Sequence, residues 1–378
     1  MNNKKYFKNV VVGAGISGAT IANKIANELN EEVLIIDKRD HVGGNCFDYI
    51  DKDTNIYVHK YGTHIFHTDV KEVWNFISQY TKWYPYQHKV KGLVDGQEIP
   101  IPFNLNSIEK IFSKTIANRL EEKLINIFGF NVKVPILELR KQRDDDLKFL
   151  ADYIYEKIFL NYTLKQWGLK PEELDPLVSN RVPIYISKDD RYFQNKYQGI
   201  PLNGYTEIFN KMLDNNLIKI QLNTEFKDIK NQINCDRLFY TGPIDEYFDY
   251  CFGELPYRSE YFDFVTLDKN YFQSNSVINY PNNYEWTRVG EYKYFLDQKN
   301  TNNKTVVSYE YPQPYKNGIN ERYYPIIREE NIILYNKYLD EVKKLNNVYF
   351  LGRLGDYKYY DIDKAIVRAF EIFNNLKD

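Results

Sequence analysis

Six residues near the start of the chain constrain its fold more than any others: Gly13-Ala14-Gly15-Ile16-Ser17-Gly18, a G-x-G-x-x-G sequence. A short β-branched run, Asn9 to Val12, precedes it. Small and apolar residues at helical spacing follow from Ile16 to Leu29, and Val33-Leu34-Ile35-Ile36 reads as a buried strand. Strand, glycine turn, helix and strand form a βαβ unit, the opening of a doubly wound parallel sheet. Gly13 allows the tight turn, Gly15 lets backbone N–H groups approach a pyrophosphate, and Gly18 lets helix and strand pack closely. The helix N-terminus around Ser17 adds partial positive charge for phosphates. Asp37, 19 residues beyond Gly18, stands where an acid can hold an adenosine ribose.

The residues after Asp37 bear on which dinucleotide this is. Lys38-Arg39 is followed by Gly43-Gly44-Asn45. A basic pair and then a second glycine turn resembles the FAD-binding pattern of the glutathione-reductase-like flavoproteins, amine oxidases included. The second turn brings the chain close to the ribityl and phosphate portion of FAD. The expected cofactor contacts are therefore Gly13, Gly15, Ser17, Gly18, Asp37, Lys38, Gly44 and Asn45.

The α/β pattern does not run on unbroken. Asp95-Gly96 between Val90–Val94 and Ile99–Ile101 is a hairpin signal. Ser107 can cap a helix whose Leu120, Leu124, Ile127 and Phe128 share a face and which Gly129 ends; a second helix aligns Leu147, Leu150, Ile154 and Ile158. Residues 257–312 return to strand character, with a turn at Asn300–Lys304. The tail resumes α/β with a strand at Val348–Leu351, a loop from Gly352 to Asp361, and a helix lined by Ile366, Ala369, Phe370 and Phe373. The expectation is an α/β protein in which a Rossmann-like FAD-binding domain (1–85, 200–245 and 325–378) carries a helical insert (106–185) and an antiparallel sheet insert (86–105, 186–199 and 246–324). With 378 residues, several domains are expected.

Composition removes other classes. Fifty basic and 52 acidic residues leave a net charge of -2, unlike the basic surface of a nucleic-acid binder. Three cysteines without a CxxC pair imply neither a disulfide framework nor a zinc site, so no metal is expected. Apolar runs fall short of the roughly 18 residues of a membrane span. Lys4, Lys5 and Lys8 before an apolar stretch imitate a signal peptide, but that stretch is explained as the first strand and turn. A cytoplasmic enzyme is the expectation.

Longer segments narrow the reading. His59-Lys60-Tyr61-Gly62-Thr63-His64-Ile65-Phe66-His67-Thr68, Tyr162-Thr163-Leu164-Lys165-Gln166-Trp167-Gly168, Arg191 to Pro201, Tyr240 to Asp245, and Gly352 to Asp361 occur in order along the chain. Together they resemble the bacterial UDP-galactopyranose mutases. The resemblance implies an isomerase of cell-surface polysaccharide biosynthesis, a homodimer, and FAD required in its reduced form. Its substrates are the pyranose and furanose forms of UDP-galactose, and the reduced flavin N5 attacks the anomeric carbon as UDP leaves. It implies Arg181 and Arg288 as ligands of the UDP diphosphate. Tyr162, Trp167, Tyr192, Asn279, Tyr324 and Tyr359 contact the substrate, with Tyr162 stacking on uracil. His64 lies near the flavin, and Arg353 and Asp361 touch the cofactor, Asp361 lying near the substrate as well. Asp361 could equally serve as a helix N-cap. His64 and His67 sit at His-x-x-His spacing, but a third metal ligand is missing from the pattern.

One alternative uses the same fold: an FAD-dependent oxidoreductase of the amine-oxidase type, since fold and cofactor motif do not fix chemistry. It would need an amine pocket and would leave the paired arginines unexplained.

Overall fold

The structure is a computed structural model that describes residues 4–175, 182–298 and 303–377. Arg181 and most of the Asn300–Lys304 turn lie outside the described residues.

A parallel sheet of five strands runs Ile218–Gln221, Val33–Ile36, Lys5–Val12, Ile233–Tyr240, Val348–Phe350 in spatial order. The first strand pairs with Val33–Ile36 on one side and Ile233–Tyr240 on the other. Its central residues Val10, Val11, Ile35 and Ile36 are fully buried, as expected of a sheet covered on both faces. Helices Ile16–Lys24, Gly204–Leu213 and Ile362–Asn374 share a core with it. The first helix widens into a π turn at Ile25–Leu29 and stops at Asn30 with φ 54°. The strand ends at Val12, Ile36, Tyr240 and Phe350 lie along one edge, so Gly13, Asp37, Thr241 and Gly352 meet there, where open parallel sheets bind ligands.

A second sheet has seven strands: Tyr324–Pro325, Tyr257–Leu267, Thr305–Pro314, Arg288–Glu291, Val277–Asn279, Val90–Val94, Gln97–Ile101. It is antiparallel except at one junction, where Val277–Asn279 pairs in parallel with Val90–Val94. The Asp-Gly signal forms the two-residue hairpin it implies, with Asp95 at φ 48° and Gly96 at φ 79°. The helical segment does not bury a core of its own. Leu120, Leu124, Leu147, Leu150, Ile154 and Ile158 belong to the same cluster as Val90, Ile99, Ile101 and Phe103.

Three local expectations are corrected. Asn104, not Ser107, is the cap: its side chain accepts the Ser107 N–H at 3.0 Å while Ser107 Oγ accepts the Asn104 N–H at 3.2 Å, a reciprocal capping box. The segment is two helices, Leu105–Ile111 and Lys114–Phe128, and Ile127 is 51% exposed because the second rotates it off the buried face. Gly352–Gly355, read as loop, is a short helical turn. No helix among the described residues is long and apolar enough to cross a membrane.

Candidate active site

One cavity of ≈ 860 Å³ runs from the first glycine turn to the inner face of the seven-stranded sheet. At its parallel-sheet end the walls are backbone. A Cβ on Gly18 would stand 1.9 Å from the Gly13 carbonyl oxygen, and one on Gly44 would stand 2.8 Å from the Gly15 Cα. Gly18 is thus a packing glycine behind the cavity, whereas Gly44 lets the two turns abut. The Gly43 N–H donates to the Ala14 carbonyl at 2.9 Å and completes the join. Asp37 does more than face a ribose. Its Oδ2 accepts the Ala14 N–H at 2.6 Å and its Oδ1 the Arg39 N–H at 2.8 Å, so it also builds the turn and keeps acceptor capacity for a hydroxyl. Lys38 lines the cavity and pairs with Glu321 at 2.9 Å, while Arg39 donates to Asn45 Oδ1 at 3.0 Å and lies 4.2 Å from the Tyr61 ring centre.

Along the middle, His64 lines the cavity with a neighbour behind it. Its backbone N–H donates to His59 Nδ1 at 3.0 Å, and its own Nδ1 lies 2.8 Å from the Gly62 carbonyl. Burial pushes both imidazoles down to about 3, so they are neutral at physiological pH. A carbonyl only accepts; His64 therefore carries its proton on Nδ1 and keeps a lone pair on Nε2. His67 stacks on Phe193 at 3.6 Å with Nδ1 facing Asn195 Oδ1. Among the described residues no group of three or more His, Cys, Asp or Glu is placed to hold a metal ion.

The far end is made of charged and aromatic side chains. Register places Arg288 directly opposite Glu310 on one side and Asn279 on the other, with Arg288 Nε 3.0 Å from Glu310 Oε2. Glu260, on the next strand, accepts a 2.5 Å bond from Gln166. Burial raises the Glu310 carboxyl to about 7; Arg288 pulls it down and the Glu260 carboxylate pushes it up. Tyr162 is raised to about 12, chiefly by burial. Tyr324 and Tyr359 stack 5.3 Å apart at 11°, and the Arg353 guanidinium lies over both, held by the Tyr323 and Tyr360 carbonyls. Tyr192 is tied to this wall by its N–H, which donates to the His88 carbonyl at 2.7 Å.

Of the residues singled out from sequence, Gly13, Gly15, Ser17, Asp37, Lys38, Gly44, Asn45, His64, Tyr162, Tyr192, Asn279, Arg288, Tyr324, Arg353, Tyr359 and Asp361 all line this cavity. Trp167 does not: it packs behind Tyr324 at 5.9 Å and supports it. Asp361 occupies the N-cap position of Ile362–Asn374 but makes no side-chain capping bond.

Comparison with known proteins decides the family. A family model described as UDP-galactopyranose mutase matches residues 157–359, and one described as an NAD(P)-binding Rossmann-like domain matches residues 11–80. A probable UDP-galactopyranose mutase of Klebsiella pneumoniae is 38% identical over 373 residues, covering 98% of this chain and 94% of the relative. The chain belongs to the UDP-galactopyranose mutase family. It is therefore an isomerase of the intramolecular-transferase kind. A UDP-galactopyranose mutase of Mycoplasma genitalium is 37% identical over 97% of this chain and 93% of the relative, and a dTDP-fucopyranose mutase of Escherichia coli is 35% identical over 96% and 97%. The fold matches a crystal structure of reduced UDP-galactopyranose mutase with a TM-score of 0.74 at 15% identity, over 98% of this chain and 93% of that one. A putrescine oxidase variant shares the fold at a TM-score of 0.59 and 10% identity over 98% of this chain and 99% of that one, which is likeness of fold alone.

Sequence reasoning missed Glu260, Glu310 and Gln166. No local pattern marks them: Tyr257, Arg258, Ser259 and Glu260 are all buried, so both faces of that strand are covered and alternation does not set Glu260 apart.

Proposed function

We propose that this mutase-family chain interconverts UDP-galactopyranose and UDP-galactofuranose on a bound, reduced FAD. The observation that carries the reading is the continuity of one cavity between the glycine turns and the Arg288 cluster, which lets a dinucleotide and a nucleotide sugar share it. The cradle fits FAD: with no side chain on Gly15 or Gly44 the two turns meet backbone to backbone and both line this end of the cavity, and Asp37 retains acceptor capacity beside them. Arg353, Asn45 and Asp361 line the same volume and would hold the cofactor with them. When bound and reduced, the flavin supplies a nucleophilic N5 for the anomeric carbon, with UDP as the leaving group.

The chain's own residues do the rest. Arg288 neutralises the departing diphosphate, with Arg181 as the second ligand on the strength of the family resemblance; a guanidinium fork suits that task better than an ammonium. Tyr162 offers a ring face to uracil, and Tyr192, Tyr324 and Tyr359 offer hydroxyl donors. Asn279 adds an amide beside Arg288. His64, neutral and with a free Nε2 lone pair, accepts a hydrogen bond without adding charge near the flavin.

Incubating the reduced protein with UDP-galactofuranose and separating the products tests this: UDP-galactopyranose should accumulate, and unchanged substrate would refute the assignment. Because one relative is named a dTDP-fucopyranose mutase, the same assay with dTDP-fucopyranose measures base and sugar selectivity. A preference for that substrate would replace UDP-galactose and keep the family. We also infer a homodimer acting in the cytoplasm; sedimentation equilibrium tests the assembly.

A further inference from the structure

The short helix Asn161–Trp167 carries a charge that the chemistry above leaves unused. Lys165 is not among the residues that line the cavity. Its Nζ donates instead to four backbone carbonyls, those of Tyr280 at 2.5 Å, Asn282 at 3.1 Å, Tyr284 at 3.1 Å and Trp286 at 3.0 Å. An ammonium has three N–H donors, so four carbonyls converging on it share them and turn their dipoles toward one positive point.

All four carbonyls belong to one connection, the segment between the strand that ends at Asn279 and the strand that begins at Arg288. Asn279 and Arg288 are a register pair at the feet of that connection, and both line the cavity. On the other side, the helix presents Tyr162 to the cavity one turn before Lys165. The end of the helix is also pinned from below: Arg258 donates to the Lys165 carbonyl at 2.9 Å and to the Gln166 carbonyl at 2.8 Å. Lys165 is thus gripped at both ends, its carbonyl by the sheet and its ammonium by the connection. The connection has packing of its own, since Tyr280, Tyr284 and Trp286 are in mutual ring contact and Trp286 lies 5.1 Å from Tyr309. What that packing does not set is the distance from the connection to the helix. Among the described residues Asn282 adds two neutral bonds, donating to the Lys157 carbonyl just before the helix at 2.8 Å and accepting from the Asn161 amide at 3.2 Å.

We propose that Lys165 is a positioning residue of the active site, whose ammonium fixes the spacing between Tyr162 on the helix and the Asn279–Arg288 pair on the sheet. The proposal rests on reading Tyr162 and Arg288 as ligands of UDP. Uracil and diphosphate are held at a set separation within one molecule, so both ligands bind well only at one spacing of the two elements. Small misplacement of binding groups weakens recognition steeply. Arginine cannot substitute, because a planar fork does not converge its donors on one point.

The test is made on the flavin-loaded protein, with UDP as the probe. In Lys165→Met, flavin content should stay at the wild-type level while UDP affinity falls about 10- to 100-fold, with KM rising more than kcat falls. In Lys165→Gly, ammonium or methylammonium chloride should restore UDP affinity and sodium chloride of equal strength should not, because only the former bring N–H donors to the carbonyls. Should the methionine variant fail to yield folded flavoprotein, Lys165→Arg keeps the charge and should still lose affinity several-fold. Wild-type UDP affinity in the variant measured, or rescue by sodium equal to that by ammonium, overturns the assignment. Failure of the wild-type protein itself to bind UDP would overturn the reading of the site instead.

Discussion

On the proposed reading, the two ends of the cavity receive phosphate by opposite means. At the parallel-sheet end the receptor is backbone: two glycine turns in contact, with an acid whose two oxygens are engaged by the Ala14 and Arg39 N–H groups. At the seven-stranded end the receptor is side chain: Arg288 between Glu310 and Asn279, with stacked tyrosines under Arg353. A backbone site suits a ligand that stays, since it has few rotamers to reorder. A side-chain site suits a leaving group whose charge grows during reaction, because a guanidinium responds to that charge.

The comparison breaks first at the turns. Gly18→Val should give flavin-free protein with no measurable activity, because its Cβ would stand 1.9 Å from the Gly13 oxygen. Flavin absorbance after gel filtration is the check, and Gly44→Ala should show a milder form of the same loss. Next come the arginines. Arg288→Ala should cost on the order of a hundredfold or more in kcat/KM with flavin content unchanged, since charge-assisted donors to a buried phosphate are each worth several kcal/mol. Arg181→Ala should behave alike. If either retains near-wild-type turnover, that arginine leaves the site. If either loses flavin, the two ends are not separate.

How far each end was legible from sequence follows from the same contrast. The turns are local: glycine spacing, a preceding strand and an acid at a set distance are all read along the chain, as is the Asp95-Gly96 hairpin. The charged end is assembled by register between strands far apart in sequence, where Glu310 meets Arg288 and Glu260 reaches Gln166. In a chain with 27% charged residues nothing local marks those carboxylates, and Arg288 was found through family resemblance alone. Trp167, expected to contact the substrate, stands outside the cavity wall behind Tyr324, whereas Tyr162, five residues earlier, lines it.

Two smaller effects sharpen the side-chain end. Burial holds the Glu310 carboxyl well above the usual carboxylate range, so its negative charge develops late as pH rises. As an anion it competes with diphosphate for Arg288, so UDP affinity should fall several-fold as rising pH ionises it. Glu310→Gln should flatten the profile in a calorimetric titration; an unchanged slope would exclude the competition. Tyr359→Phe removes one hydroxyl donor and keeps the stack on Tyr324, so it should cost about 1 kcal/mol in UDP binding, or roughly fivefold.

The central claim is that one cavity brings a reduced flavin to a nucleotide sugar, and it is tested most directly by turnover of UDP-galactofuranose in a single preparation assayed oxidised and then chemically reduced. The account predicts near-silence in the oxidised state and conversion to UDP-galactopyranose on reduction, with flavin content the same in both. Equal rates in the two states would contradict it.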